Sequence, residues 1–344
     1  MRRTVAVLAL AGMLSACSSA SHAAVPPSTT ATTATTSTTL PRCTAGSQRN
    51  LTRINLNIGG QDRYALVHIP AHWDGDTAVP VVLSFHGLGA NAAQQRSTDG
   101  FVPISDKDNF IVVYPQAGGA LGALGAAWNL TGTGDVDYVK AILDDLERRE
   151  CVDRSRVYAT GLSYGGAMAD LLACTMADQI AAVAPVSAYL PPRPCTPARP
   201  VPVMSFHGVE DHLLPYNGGG RSDQLPFEKW GQSWAKRDGC VGGPTQTQYK
   251  ATVEQLAYSG CKAPVILYRV HHNGHTWPGH PLGLNLQTLV NYFSGKLTGK
   301  PYPLMVALGL TPEEFADTIS LVNTDIDAST MILSFFDKYT LRSP

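Results

Sequence analysis

Glycine stands two residues before and two residues after Ser163, in Tyr158-Ala159-Thr160-Gly161-Leu162-Ser163-Tyr164-Gly165-Gly166-Ala167-Met168. A strand that turns into a helix with almost no loop leaves no room for a side chain at those two positions, and it lifts the intervening serine above the strand end. A Gly-rich strand-to-helix turn of no chemical consequence can carry the same letters. The context separates the two readings, because an apolar β-branched run precedes the motif and a helical pattern follows it.

The flanking sequence repeats that alternation. Strands are expected at residues 53–57, 64–69, 79–85, 110–114, 156–161, 180–186, 201–206 and 265–270, several of them continuously apolar, as strands buried on both faces are. Val136, Val139, Leu143 and Leu146 fall at helical spacing within 136–149, and 164–176 reads as a second helix. Strands alternating with helices predict a mostly parallel central sheet flanked by helices. No internal repeat is visible.

A serine hydroxyl attacks a carbonyl only when a neutral imidazole takes its proton and a carboxylate orients that imidazole. Of ten histidines, His275 lies in His271-His272-Asn273-Gly274-His275-Thr276-Trp277-Pro278-Gly279, directly after the apolar run 265–270. A loop at the C-terminal edge of a parallel sheet is where such a base reaches the serine. His271 and His272 read as strand-end residues, and His22 and His280 have no supporting context. The carboxylate is sought in Phe206-His207-Gly208-Val209-Glu210-Asp211-His212, where Asp211 is the choice and Glu210 its rival. Asp135 and Asp137 open a helix, where acids complement its dipole. The order Ser163, Asp211, His275 is that of nucleophile, acid and base in α/β-hydrolases. Charge developing on the carbonyl oxygen needs backbone N–H donors. They are expected from Tyr164 and from Leu88 or Gly87, in Ser84-Phe85-His86-Gly87-Leu88-Gly89. His86 is expected to support this loop and to lie beside the substrate.

Arg2 and Arg3, the apolar stretch 5–14 and Leu14-Ser15-Ala16-Cys17 read as a signal peptide over residues 1–16. The last four residues resemble a bacterial lipobox, so Cys17 is expected to carry lipid and to anchor an exported protein. Cleavage at another small residue is the alternative. Residues 17–42, nearly all Ser, Thr, Ala and Pro, have no apolar face to offset the entropy of ordering and form a linker. Six cysteines follow, at 43, 151, 174, 195, 240 and 261. An even count in an exported chain suggests disulfides, with Cys174–Cys195, Cys240–Cys261 and Cys43–Cys151 as the preferred set of the 15 pairings open to six cysteines. No CxxC pair supports zinc. Of 344 residues 15% are charged, and the formal net charge is −1, which argues against a nucleic-acid partner and leaves the lipid as the only membrane contact.

Together, His86-Gly87, the Gly161–Met168 segment, His207-Gly208 with Asp211 and Pro215-Tyr216, and Gly274-His275-Thr276-Trp277-Pro278-Gly279 resemble the secreted polyhydroxybutyrate depolymerase and feruloyl esterase family of α/β-hydrolases. That group also contains acetyl xylan esterases and related mycobacterial lipoproteins. The resemblance covers residues 43–279 and resumes at 325–339, the family's closing helix. It implies an α/β-hydrolase catalytic domain over 43–344, a catalytic set of Ser163, Asp211 and His275, and Trp277 beside the acyl or aromatic group. It implies no metal or organic cofactor.

One departure stands out: residues 280–324 replace a short connection. Leu286, Leu289, Val290, Phe293 and Leu297 fall at helical spacing, and Thr311-Pro312-Glu313-Glu314 reads as a capping box with Pro at the first helical position, giving two more helices. The insertion leaves the loop of the base, so it is expected either to cap the active site and shape the acyl pocket or to pack on a distant face. The favoured activity is serine ester hydrolysis of a small ester, an esterified polysaccharide or a short polyester. Acyl transfer by the same triad and a noncatalytic cell-surface binding protein are the rivals. The oligomeric state is not readable.

Overall fold

In the computed structural model, residues 51–341 are described apart from 189, 220–223 and 282–285. The expected signal peptide, Cys17 and linker, and Cys43, lie outside the described residues.

The chain opens with a hairpin, β1 (Arg53–Ile58) and β2 (Gln61–His68), and then enters β3 (Val79–Phe85). Two short helices, α1 (Ala92–Thr98) and α2 (Phe101–Asp108), lead to β4 (Ile111–Pro115). A two-residue ribbon follows, β5 (Gly119–Ala120) with β6 (Ala126–Ala127), then α3 (Gly134–Arg149), β7 (Val152–Leu162) and α4 (Tyr164–Thr175). Next come β8 (Ala182–Val186), β9 (Val203–Gly208) and α5 (Phe227–Arg237). The antiparallel strands β10 (Gly242–Lys250), β11 (Val253–Ser259) and β12 (Val265–Val270) complete the sheet. Helices α6 (Leu286–Phe293), α7 (Pro303–Leu308), α8 (Pro312–Ser320) and α9 (Ala328–Phe336) close the chain.

Among the described residues ten strands form the main sheet in the order β1-β2-β4-β3-β7-β8-β9-β12-β11-β10. The block from β4 to β12 is parallel, and an antiparallel pair flanks it on each side. Alternate residues of the central strands feed opposite cores. Val81, Leu83 and Phe85 join the apolar stripe of α3 (Val136, Val139, Leu143 and Leu146) together with α4 and α5, whereas Val82 joins Phe101, Ile332 and Phe336 from α2 and α9. Burial on both faces is why these strands read as unbroken apolar runs. The fold is that of an α/β-hydrolase.

Every expected strand is present, with ends shifted by a few residues. Strands β5, β6, β10 and β11 are additions, as are helices α1, α2, α5 and α7. Cys174–Cys195 and Cys240–Cys261 are bonded as expected, and Cys151 is also disulfide-bonded. The capping box forms at Thr311 with Glu314, and Pro312 takes the first position of α8. Leu297 is a correction: α6 stops at Phe293 and Leu297 is 65% exposed, because the chain turns at Gly295, whose φ is +82°. Among the described residues no helix is long and apolar enough to cross a membrane.

Candidate active site

Four loops leave the C-terminal ends of β3, β7, β9 and β12, and each carries one expected element. Ser163 stands between β7 and α4 with φ 59° and ψ −119°, a conformation that side chains rarely adopt. The packing around it explains the glycines: a Cβ on Gly161 would lie 2.5 Å from the Phe85 carbonyl oxygen, and one on Gly165 would collide with the same group. Ser163 is pinned through its N–H to the Val186 carbonyl at 3.0 Å, and its own carbonyl accepts from Ala167 at 3.1 Å. Tyr164 is the first residue of α4, so the positive end of that helix dipole faces the serine.

His275 and Asp211 meet across adjacent strands. Nδ1 of His275 lies 2.8 Å from Oδ2 of Asp211, whose side chain is fully buried. Oδ1 of Asp211 accepts the Leu214 N–H at 2.8 Å. A second imidazole flanks the same carboxylate: His207 donates its Nε2–H to the Leu214 carbonyl at 2.8 Å, with that nitrogen 3.5 Å from Oδ2 of Asp211. Burial lowers the pKa of His207, against the opposite pull of Asp211. Glu210 points elsewhere, its Oε2 accepting the Asn273 N–H at 3.3 Å, so only Asp211 reaches the base.

Ser163 and His275 open into one cavity of about 220 Å³. Gly87 and Leu88 line it beside the serine, and a Cβ on Gly87 would sit 3.8 Å from Ser163 Oγ. Trp277 also lines it, its Nε1–H tied to Ser329 Oγ at 2.8 Å. The expectation that His86 lies beside the substrate is corrected. The ring is completely buried behind the loop and is not part of the cavity wall. Its Nδ1–H donates to the Gly87 carbonyl at 2.8 Å, its Nε2 accepts the Ala117 N–H at 3.1 Å, and burial lowers its pKa to about 4. It supports the loop and nothing more.

Other wall residues carried no motif. Leu213 comes from the acid loop, and Tyr302, Leu304, Phe315 and Ile319 come from the insertion. They extend a small core made of Leu214, Val290, Met305 and Ala316. His280, dismissed for want of context, lines the cavity with its Nε2 3.3 Å from Asp327. Asp135 and Asp137 lie in the first turn of α3, as expected, and Asp135 also pairs with Arg63 at 2.8 Å. No cluster of three or more potential metal ligands occurs among the described residues.

No family model matches the chain. It is 34% identical over 231 residues to feruloyl esterase B of Piromyces equi, spanning 62% of this chain and 42% of that protein. It is 27% identical over 319 residues to the putative esterase NocK of Nocardia uniformis subsp. tsuyamanensis, spanning 81% of this chain and 90% of the relative. The bifunctional acetylxylan esterase/xylanase XynS20E of Neocallimastix patriciarum shares 33% identity over 40% of this chain and 20% of its own length. By sequence the chain is similar to feruloyl and acetylxylan esterases. It spans less than half the length of the feruloyl esterase B and XynS20E proteins it matches. Among solved structures, the acetyl xylan esterase from Aspergillus awamori superposes with a TM-score of 0.51 at 14% identity, covering 65% of this chain and 94% of that one, a likeness of fold.

Proposed function

We propose that this chain is a serine esterase that hydrolyses carboxylic esters through an acyl-enzyme. The observation that carries the reading is the His275 Nδ1–Asp211 hydrogen bond of 2.8 Å, with the histidine facing the cavity that Ser163 enters. That bond holds the proton on Nδ1 and leaves Nε2 as the base. Ser163 Oγ attacks the ester carbonyl carbon while Nε2 takes its proton. The N–H groups of Leu88 and Tyr164 hold the oxyanion, an arrangement worth several kcal/mol, on the order of 3 per donor. Collapse breaks the bond to the alcohol, which leaves with the proton from Nε2. Water repeats the sequence on the acyl-enzyme and releases the acid.

The acyl group lies against Trp277 and under the insertion, which caps the site. Tyr302, Leu304, Phe315 and Ile319 in the cavity wall support the cap over a distant packing position. The names of the relatives favour feruloyl or acetyl esters on polysaccharide, and short polyhydroxyalkanoate esters are a further candidate. Export and anchoring through a lipid on Cys17 follow from the N-terminal sequence, and the disulfides agree with an oxidising compartment.

Hydrolysis of p-nitrophenyl esters from acetyl to octanoyl, and of methyl ferulate, tests the reading on wild type and Ser163→Ala. Turnover lost in a folded Ser163→Ala protein is the expected result. Equal rates in the two proteins would sink it.

A further inference from the structure

Strands β9 and β12 are hydrogen-bonded up to Gly208 and Val270, and beyond them the Val209 and Glu210 N–H groups reach across to the Val270 and Asn273 carbonyls and the Asn273 N–H reaches Glu210 Oε2. Asp211 and His275 lie past that point. Sheet pairing therefore does not fix their separation, yet a hydrogen bond to a base tolerates little error. What spans the gap comes from the insertion.

The last turn of α8 lies along both loops. The carbonyl of Thr318 accepts the N–H of His275 itself at 2.5 Å, and the carbonyl of Leu321 accepts the Gly274 N–H at 2.9 Å. The hydroxyl of Thr318 accepts the His212 N–H at 3.0 Å and donates to the Glu210 carbonyl at 3.4 Å, so it holds the residues on either side of Asp211. Thr318 is completely buried. The approach is so close that a Cβ on Gly274 would run into the Thr318 carbonyl. Asn323 continues the contact, its N–H bound to Asn273 Oδ1 at 3.0 Å and its Nδ2 to the His271 carbonyl at 2.7 Å.

We propose that Thr318 is a positioning residue that holds the acid and base loops in register, which makes the insertion an integral part of the triad's support as well as its roof. The kinetic consequence rests on the esterase reading; the structural one does not. Thr318→Val keeps the shape, deletes the hydroxyl and leaves the His212 N–H and the Glu210 carbonyl without it.

The expected kcat for p-nitrophenyl butyrate falls on the order of tenfold to a hundredfold, with KM within about twofold. Thr318→Ser, which restores the hydroxyl, returns kcat to within about threefold of wild type. Thr318→Ala, with room for a bridging water, replaces the valine variant if that fails to fold and shows the same loss. A valine or alanine variant at wild-type kcat, or a serine variant as slow as they are, overturns the proposal. A second readout needs no ester: in the Ser163→Ala background, the low-field proton resonance of the His275–Asp211 bond is retained with Thr318→Ser and broadened or lost with Thr318→Val. An unchanged resonance in the valine variant also overturns it. If wild type hydrolyses no ester while the resonance follows the hydroxyl, the esterase reading falls and the positioning role stands.

Discussion

Asp211→Asn separates the proposed triad from a coincidence of neighbours, because the surroundings of Asp211 accept no donor. Its Oδ1 takes the Leu214 N–H and its Oδ2 takes His275 Nδ1–H, both at 2.8 Å, while His207 Nε2–H stands 3.5 Å from Oδ2. An asparagine has one acceptor and two donors to offer. With its oxygen toward Leu214, the amide NH₂ faces His275 and drives the proton from Nδ1 to Nε2, where the ring can no longer accept from Ser163. With the oxygen toward His275, the NH₂ opposes the Leu214 N–H in a buried site, a mismatch of about 1–3 kcal/mol. The first arrangement avoids that mismatch and leaves the base in the wrong tautomer, which costs about 10⁴ in kcat, or about 5.4 kcal/mol of transition-state stabilisation. KM changes little, because Asp211 does not itself line the cavity. Steady-state hydrolysis of p-nitrophenyl butyrate at pH 8, with the melting temperature of each variant, is the assay. Glu210→Gln is the control and stays within about threefold of wild type, since the Glu210 side chain accepts the Asn273 N–H and a glutamine amide oxygen can accept the same bond. A loss of less than tenfold in folded Asp211→Asn, or a larger loss in Glu210→Gln, would refute the assignment of the acid.

Phe315→Ala enlarges the cavity from the insertion side. It is expected to raise kcat/KM for octanoyl relative to butanoyl esters, and to lower stability by about 3 kcal/mol in a denaturant titration, the low end for a buried phenylalanine because one face already borders the cavity. Glu150 is 5% exposed, and neither carboxyl oxygen has a hydrogen-bond partner among the described residues. Burial raises its pKa to about 7, against a smaller opposite pull from Arg149. The folded chain then keeps a proton that the unfolded chain releases from the ordinary glutamate value upward, so stability falls as pH rises toward 7 and the loss is complete above it. Glu150→Gln is expected to remove that loss, with no gain at pH 4 and a gain of up to about 3 kcal/mol at pH 8. Urea melts at the two pH values check it, and an equal effect at both would refute the assignment.

The turn that carries Ser163 was legible because steric exclusion writes itself into sequence. Gly161 and Gly165 are required by the Phe85 carbonyl, and no other residue fits. The two-faced strands were legible for a similar reason, since burial on both sides leaves an apolar run in β3, β4 and β8. Strand β10 has no such signature. Nearly all of Gly242–Lys250 is exposed and polar, and pairing with β11 defines it, so neither face offers a contrast to read. The sequence favoured Asp211 but left Glu210 as its rival, and geometry separates them, because two adjacent carboxylates in one loop differ chiefly in the direction each points.

The roles inside the insertion were beyond sequence for another reason. A buried threonine on an amphipathic helix looks like a tolerated polar residue, and only the fold shows whose backbone its hydroxyl meets. The same holds for Phe315 and Ile319, which sit three residues before and one residue after Thr318 and line the cavity while Thr318 meets the loops. A single turn of α8 thus touches both the acyl wall and the support of the base. Replacements that widen the wall should therefore disturb kcat as well as chain-length preference, and Ile319→Ala should do so more than Leu304→Ala, because Ile319 adjoins Thr318 on α8 whereas Leu304 lies on α7. Burst kinetics with p-nitrophenyl esters separate the two effects: a change confined to KM in Ile319→Ala would show that wall and support act independently.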